Sequence, residues 1–429
     1  MKDGTVGAVF FLFDGLLFSC FHLTHLCAGG IINLSVTVLA GLFFDDKVPP
    51  VLNLGGIMRR IDVEKLSSAI KKRAENDLSL CNIGGASVLV AQGGEVLYRK
   101  DFGFADLAGR ELDGNALFRL ASMTKPITAV ATLILAERGL LSLSDTVDKF
   151  YPAFRNLSLY EKGEIIEISG KITIENILTH TSGIGSGAAW TYVNRLSTPE
   201  RVATVDKYTD FLSHQPLSYI PGTKQEYSGI ASFSILTGII QSVSGMDYLD
   251  LLKKEIFLPC EMNDTTFLPS EEQWQRLCQM HNRVMGENAV GRTFDGCVFE
   301  NIPAQNYLGG AGLVSSVSDY FSFARMLMGG GVLNNRRILS EKSVKLMSSP
   351  HYPSEAGEHW GLGVRVVSGD KKAPLPIGSY GWSGAYGTHF WIDPENEIIA
   401  IYMKNSRFDG GSHAKTGRNF EIDVYSALE

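Results

Sequence analysis

Leu117-Phe118-Arg119-Leu120-Ala121-Ser122-Met123-Thr124-Lys125-Pro126 joins an extended run to a nearly all-apolar segment, 126–138, that stops at Gly139. A segment apolar all round predicts a buried helix. Proline is tolerated in a first helical turn, whose N–H groups lack partners anyway, and glycine suits the C-terminal cap. Ser122 and Lys125 stand three apart at the start of that helix, so their side chains share a face. The positive end of the helix dipole favours a developing alkoxide on the serine. A desolvated lysine has a lowered proton affinity and can help draw off the hydroxyl proton. Taken alone, Ser122 reads equally well as an ordinary helix N-cap.

The SxxK spacing occurs four times: Ser68–Lys71, Ser122–Lys125, Ser368–Lys371 and Ser412–Lys415. Context separates them. Ser68 falls in an amphipathic segment, 62–76, whose Lys71, Lys72 and Arg73 form a solvated face. Ser368 follows a strand in a Gly-Asp-Lys-Lys turn, and Ser412 sits in a polar Gly-Gly loop. Only Ser122 stands where an extended run meets a buried helix.

Working outward, runs 86–92 and 95–100 are joined by Gly93-Gly94, a strong hairpin signal. From about 140 to 345 the pattern is mostly helical, most clearly at 231–243, 248–257 and 318–328. Strands return at 362–367, 388–392 and 398–403, and 420–428 reads as a closing helix. These signals predict an α/β (α+β) fold, with an antiparallel sheet built from both ends and a helical domain inserted. The domain boundaries expected are 58–140 with 346–429 for the α/β part, and 141–345 for the helical part.

The front of the chain differs. Residues 6–44 are apolar, and 26–44 carry no charge over a length that can span a bilayer. Lys2 is followed at once by Asp3, which makes a poor secretory signal. Residues 1–57 therefore read as a membrane anchor or as upstream sequence read in frame before Met58. The first predicts a membrane-anchored or exported protein, the second a cytoplasmic one. Cys20, His22, His25 and Cys27 resemble a metal cluster but sit in this apolar tract, and no metal site is expected.

The 429 residues carry 39 Lys plus Arg against 46 Asp plus Glu, a net charge of −7. That balance gives no pull toward nucleic acid or anionic lipid. Six cysteines are too few and scattered for a disulfide scaffold. There is no GxSxG elbow, HExxH, Walker A or GxGxxG.

Residues 117–151, through Glu137-Arg138-Gly139-Leu140-Leu141-Ser142-Leu143-Ser144-Asp145, resemble the serine β-lactamase and penicillin-binding-protein-like superfamily, nearest to its class C and family VIII esterase branch. Ile177-Leu178-Thr179-His180-Thr181-Ser182-Gly183, Pro221-Gly222-Thr223 before Tyr227, and Gly309-Gly310-Ala311-Gly312-Leu313 follow in the same order, so the resemblance covers about 61–405. It implies the β-lactamase/transpeptidase-like fold and a serine hydrolase without metal or cofactor. The family's Tyr-x-Asn motif falls on Tyr227-Ser228-Gly229. The tyrosine is matched and would act as general base, its pKa lowered by Lys125. Gly229 replaces the asparagine.

The third motif, usually Lys-Thr-Gly, heads an antiparallel strand in the family. By that criterion it falls on Trp382-Ser383-Gly384 rather than on the literal Lys415-Thr416-Gly417, which follows the last strand in a polar loop. The resemblance then implies an oxyanion hole from the backbone N–H groups of Ser122 and Ala385, with Trp382, Ser383, Gly384 and Gly229 facing substrate. Losing both lysine and asparagine argues for neutral esters, or amides, over anionic β-lactams. One rival is a β-lactamase or D-Ala-D-Ala carboxypeptidase in which Arg365 or Lys404 replaces the lysine. A second is a non-catalytic penicillin-binding-like sensor or scaffold.

Overall fold

The hairpin and the three late strands read from the sequence share one sheet. The computed structural model describes residues 59–185, 187, 204–285, 290–295, 306–353, 358–369, 374–411 and 414–429, with two strands near the start. The chain divides into the units Met1–Gly56 and Ile57–Glu429. In the first, Ala8–Phe13 pairs antiparallel with Leu16–Phe21. The apolar tract 26–44, and His22, His25 and Cys27, lie outside the described residues. No described helix is long and apolar enough to cross a membrane.

The second unit opens with α1 (Val63–Ser79), whose cap Asp62 accepts a hydrogen bond from the Lys65 N–H. Then come β1 (Gly85–Gln92), β2 (Glu95–Gly103) and α2 (Thr124–Glu137). Further helices are α3 (Ala231–Ser244) and α4 (Val317–Met328). The remaining sheet strands are β3 (Tyr352–Pro353), β4 (Glu358–Trp360), β5 (Arg365–Val367), β6 (Tyr380–Ser383), β7 (His389–Asp393) and β8 (Ile398–Lys404). Helix α5 (Lys415–Ser426) closes the chain.

All pairings in the sheet are antiparallel, in the order β3-β4-β5-β6-β7-β8-β1-β2. The late strand β8 lies beside β1, so both ends of the domain build one sheet, as the strand pattern predicts. Successive strand residues point to opposite faces. Val88, Val90, Trp391 and Ala400 therefore join Leu66 and Ile70 of α1 and Phe420 and Val424 of α5 in one core. Leu89, Ala91, Phe390 and Ile401 join the larger core against α2, α3 and α4. Burying each Val, Leu, Ile or Phe among them contributes about 1.5–3 kcal/mol, and both faces are covered this way. The backbones of Arg60 and Glu429 exchange two hydrogen bonds, which ties the ends of the unit together.

Two features differ from the sequence pattern. The middle of the chain is not purely helical, since Leu157–Glu161 pairs with Glu164–Ile168 and Met280–Met285 with Val290–Asp295. The first hairpin turns at Lys162-Gly163, both with positive φ. Its second strand, Glu164–Ile168, is mostly exposed although three of its five residues are isoleucine. The closing helix starts at Lys415 rather than 420 because the Asp409 carboxylate accepts from the N–H groups of Lys415 and Thr416 at 2.9 and 2.6 Å. The literal Lys415-Thr416-Gly417 is thus a helical first turn, not a loop.

Candidate active site

Ser122 does not lie within α2 but in the tight turn Ala121–Met123 that leads into it. Ala121 has φ 45°, an unusual value for a residue with a side chain. The surroundings hold it there. The Leu120 N–H donates to the Leu313 carbonyl at 2.8 Å, and the Thr388 hydroxyl donates to the Leu120 carbonyl at 2.9 Å. A Cβ on Gly384 would collide with that same carbonyl, so glycine lets the end of β6 close on the turn that carries Ser122.

The Tyr227 hydroxyl donates to Ser122 Oγ at 2.7 Å, and Lys125 Nζ lies 3.4 Å from the same oxygen. Lys125 is fully buried and donates to the carbonyls of Gly229 and Gly310 at 2.6 and 2.9 Å. Desolvation holds its proton affinity well below that of an ordinary lysine. A neutral amine has two N–H groups and one lone pair; the two carbonyls take the former, and the lone pair is left for Ser122.

The expected lowering of the Tyr227 pKa is reversed. Tyr227 is partly buried, and desolvation pushes its phenol up to about 12 despite the Ser122 hydrogen bond and the nearby Trp382 indole. The physical reason is that burial of the phenol itself penalises its anion, and the hydrogen-bond donors around it do not offset that penalty. Among the described residues the indole N–H of Trp382 makes no well-aligned hydrogen bond, so it does little to offset the burial of Tyr227.

Trp382 is buried 5.3 Å from the Tyr227 ring and 4.5 Å from Trp360. Trp360 also stacks near-parallel on Tyr227 at 5.9 Å. Ser383 points the other way, as strand alternation requires. Its hydroxyl lies 2.8 Å from His389 Nδ1, His389 Nε2 lies 3.1 Å from Glu421, and Glu421 also pairs with Arg365 at 2.9 Å. Burial works against the Glu421 charge, but His389 and Arg365 hold its carboxyl down at about 2. The side chain of Ser383 therefore backs the site rather than facing substrate. Arg365 and Lys404 are likewise engaged elsewhere: Lys404 Nζ is buried against the carbonyls of Phe408 and Asp409 and the Thr416 hydroxyl.

At Gly229 an added Cβ would meet nothing within 4 Å, so the asparagine position is open space. Among the described residues, neither the Ser122 nor the Ala385 backbone N–H has a hydrogen-bond partner. Lys71 pairs with Glu75 on the exposed face of α1, while Lys371 and Ser412 lie outside the described residues. Sequence reasoning assigned no role to Trp360 or His180. Trp360 carried no motif, and His180 was visible only within the stretch 177–183.

The fold and this geometry agree with what the chain is similar to. The Beta-lactamase family profile matches residues 70–420, and the chain belongs to that family. It is 28% identical over 382 residues to esterase EstB of Burkholderia gladioli, covering 82% of this chain and 93% of EstB. A penicillin-binding protein of Bacillus subtilis is 29% identical over 345 residues, covering 75% and 68%. Among solved structures, EstCE1, described as a hydrolase with promiscuous acyltransferase activity, superposes with a TM-score of 0.73 at 23% identity, covering 85% of this chain and 99% of EstCE1. Simvastatin synthase from Aspergillus terreus gives 0.72 at 20% identity, covering 84% and 98%. These two likenesses concern the fold. The chain is a serine hydrolase of the β-lactamase and penicillin-binding-protein superfamily, with esterases among its relatives.

Proposed function

We propose that this hydrolase cleaves small, neutral carboxylic esters through an acyl-enzyme on Ser122. The observation that carries the reading is Ser122 Oγ held between Tyr227 and a desolvated Lys125, with Trp382 where a substrate-binding lysine would stand. Ser122 Oγ attacks the ester carbonyl while its proton passes to the Lys125 amine, directly or through the Tyr227 hydroxyl. The high phenol pKa favours lysine as the base and tyrosine as the relay. The N–H groups of Ser122 and Ala385 hold the oxyanion. Collapse breaks the C–O bond, and the alkoxide takes a proton from Tyr227, which is resupplied from Lys125. Water then adds to the acyl-enzyme by the same proton path, releasing the acid and restoring Ser122.

Among the described residues, buried Trp382 and Trp360 and the side-chain-free Gly229 offer no group to pair with a substrate carboxylate, which supports neutral esters over β-lactams. EstB, described as an esterase, supports the same substrate class. The test is labelling by a fluorophosphonate, with turnover of short-chain p-nitrophenyl esters measured beside nitrocefin. Ester turnover well above nitrocefin turnover, with labelling lost in Ser122→Ala, is the expected result. Equal or better nitrocefin turnover would favour a β-lactamase, and absence of labelling would favour a non-catalytic module.

A further inference from the structure

Tyr227 sits in a segment, 224–228, that has no regular secondary structure, so no strand ladder or helix fixes its backbone. Yet its hydroxyl meets Ser122 at 2.7 Å. Proton transfer at that distance needs a held residue, and the hydrogen bonds of its two sequence neighbours show what holds it. The Glu226 N–H donates to the His180 carbonyl at 3.0 Å, and the Ser228 N–H donates to His180 Nδ1 at 3.2 Å. Both bonds flanking Tyr227 thus end on one residue. The His180 carbonyl also accepts from the Tyr219 hydroxyl at 3.0 Å. The imidazole itself packs 4.7 Å from the Tyr227 ring, 4.4 Å from Trp360 and 5.3 Å from Phe233.

His180 is fully buried and has φ 57°, a left-handed conformation that costs energy in a residue other than glycine or asparagine. In this turn both its carbonyl and its imidazole reach the same segment. Because Nδ1 accepts the Ser228 N–H, a neutral ring carries its proton on Nε2, which has no partner among the described residues. A ring protonated on Nδ1 would set two donors against each other.

We propose that His180 is the positioning residue for Tyr227, acting through the Nδ1 acceptor that fixes the Ser228 N–H. This rests on the reading of Tyr227 as a proton-transfer group. His180 touches neither Ser122 nor the substrate in this role; it sets where the phenol stands. Loss of the acceptor displaces the phenol and slows chemistry, whereas substrate binding is left to other groups.

Two substitutions separate acceptor from ring. In His180→Asn, Oδ1 takes the place of Nδ1 and asparagine tolerates the left-handed backbone; the ring is lost. In His180→Phe the ring stays and the acceptor goes. Rates of p-nitrophenyl ester hydrolysis are measured well below melting and normalised to the fraction of Ser122 titrated by fluorophosphonate, so that misfolded protein does not count. The expected result is a kcat about 10²-fold lower in His180→Phe, with KM within about twofold, and kcat in His180→Asn restored to within a few-fold of the parent. A parent-like kcat in His180→Phe overturns the proposal. So does an equal fall in both variants, which would assign the work to ring packing. If His180→Phe fails to fold, the imidazole nitrogen resonances of the unsubstituted protein decide, with the His180 signal identified by its loss in His180→Asn. A neutral ring protonated at Nε2 is expected, and one protonated at Nδ1 overturns the proposal. A parent chain that neither turns over esters nor takes the label counts instead against the esterase reading.

Discussion

Two buried histidines stand on opposite sides of β6, and the protein deals with them in opposite ways. His180 is set among Tyr227, Trp360 and Phe233, with a single hydrogen bond to its ring at Nδ1 and none at Nε2 among the described residues. Burial, and secondarily Lys125, hold its pKa well below that of free imidazole. His389, behind the strand, has both ring nitrogens engaged, by Ser383 and by a Glu421 that is itself paired with Arg365. The helical side of the site thus excludes charge, and the sheet side compensates it. A charge-free wall suits proton transfer among Ser122, Lys125 and Tyr227, because a desolvated amine is a competent base. A charged wall suits a strand that must keep its place.

The contrast predicts that breaking the helical side costs rate, while breaking the sheet side costs stability. The largest effect is expected from Ser122→Ala, which should lower ester hydrolysis by about 10⁴-fold or more; Ser68→Ala serves as the control and should match the parent. Stopped assays with a short-chain p-nitrophenyl ester check both. Tyr227→Phe should lose about 10²–10⁴-fold in kcat with little change in melting temperature. An unaffected rate would leave proton transfer to Lys125 alone. Glu421→Gln should do the reverse, lowering unfolding free energy by about 3 kcal/mol because buried Arg365 and His389 lose the carboxylate they share. Denaturant unfolding measures it, and a rate loss without a stability loss would break the comparison.

Acid separates the two sides more gently. The neutral His180, faced by Lys125 and Tyr227, resists a proton that the unfolded chain accepts below the ordinary value of 6.5, so stability begins to fall there as pH drops. Glu421 contributes stability that is complete above the ordinary 4.5 and is lost as pH falls toward its folded value of about 2. Unfolding free energy against pH should therefore decline in two stages, and Glu421→Gln should remove the lower one. The smallest expected change is in specificity. Gly229→Asn enters open space, and one added hydrogen bond should raise nitrocefin turnover by about tenfold without harming ester hydrolysis.

The spacing of Ser122 and Lys125, the apolar helix behind them and the alternation of the late strands were all legible in the sequence, because they are local periodicities imposed by helix and strand geometry. The order of motifs likewise pointed to the family and to Tyr227. What only the tertiary structure decided was the state of those groups. Lys125 is buried and held by carbonyls of residues 229 and 310, more than a hundred positions away, and burial raises the Tyr227 pKa where the family resemblance implied it would fall. Ser383 turned out to face His389 because strand pairing set its side, and the closing helix began early because Asp409 reached across to cap it. His180 lies 47 residues from the tyrosine it flanks in space. Sequence periodicity carries no record of which distant surfaces exclude water from a group, and proton affinity depends on that exclusion.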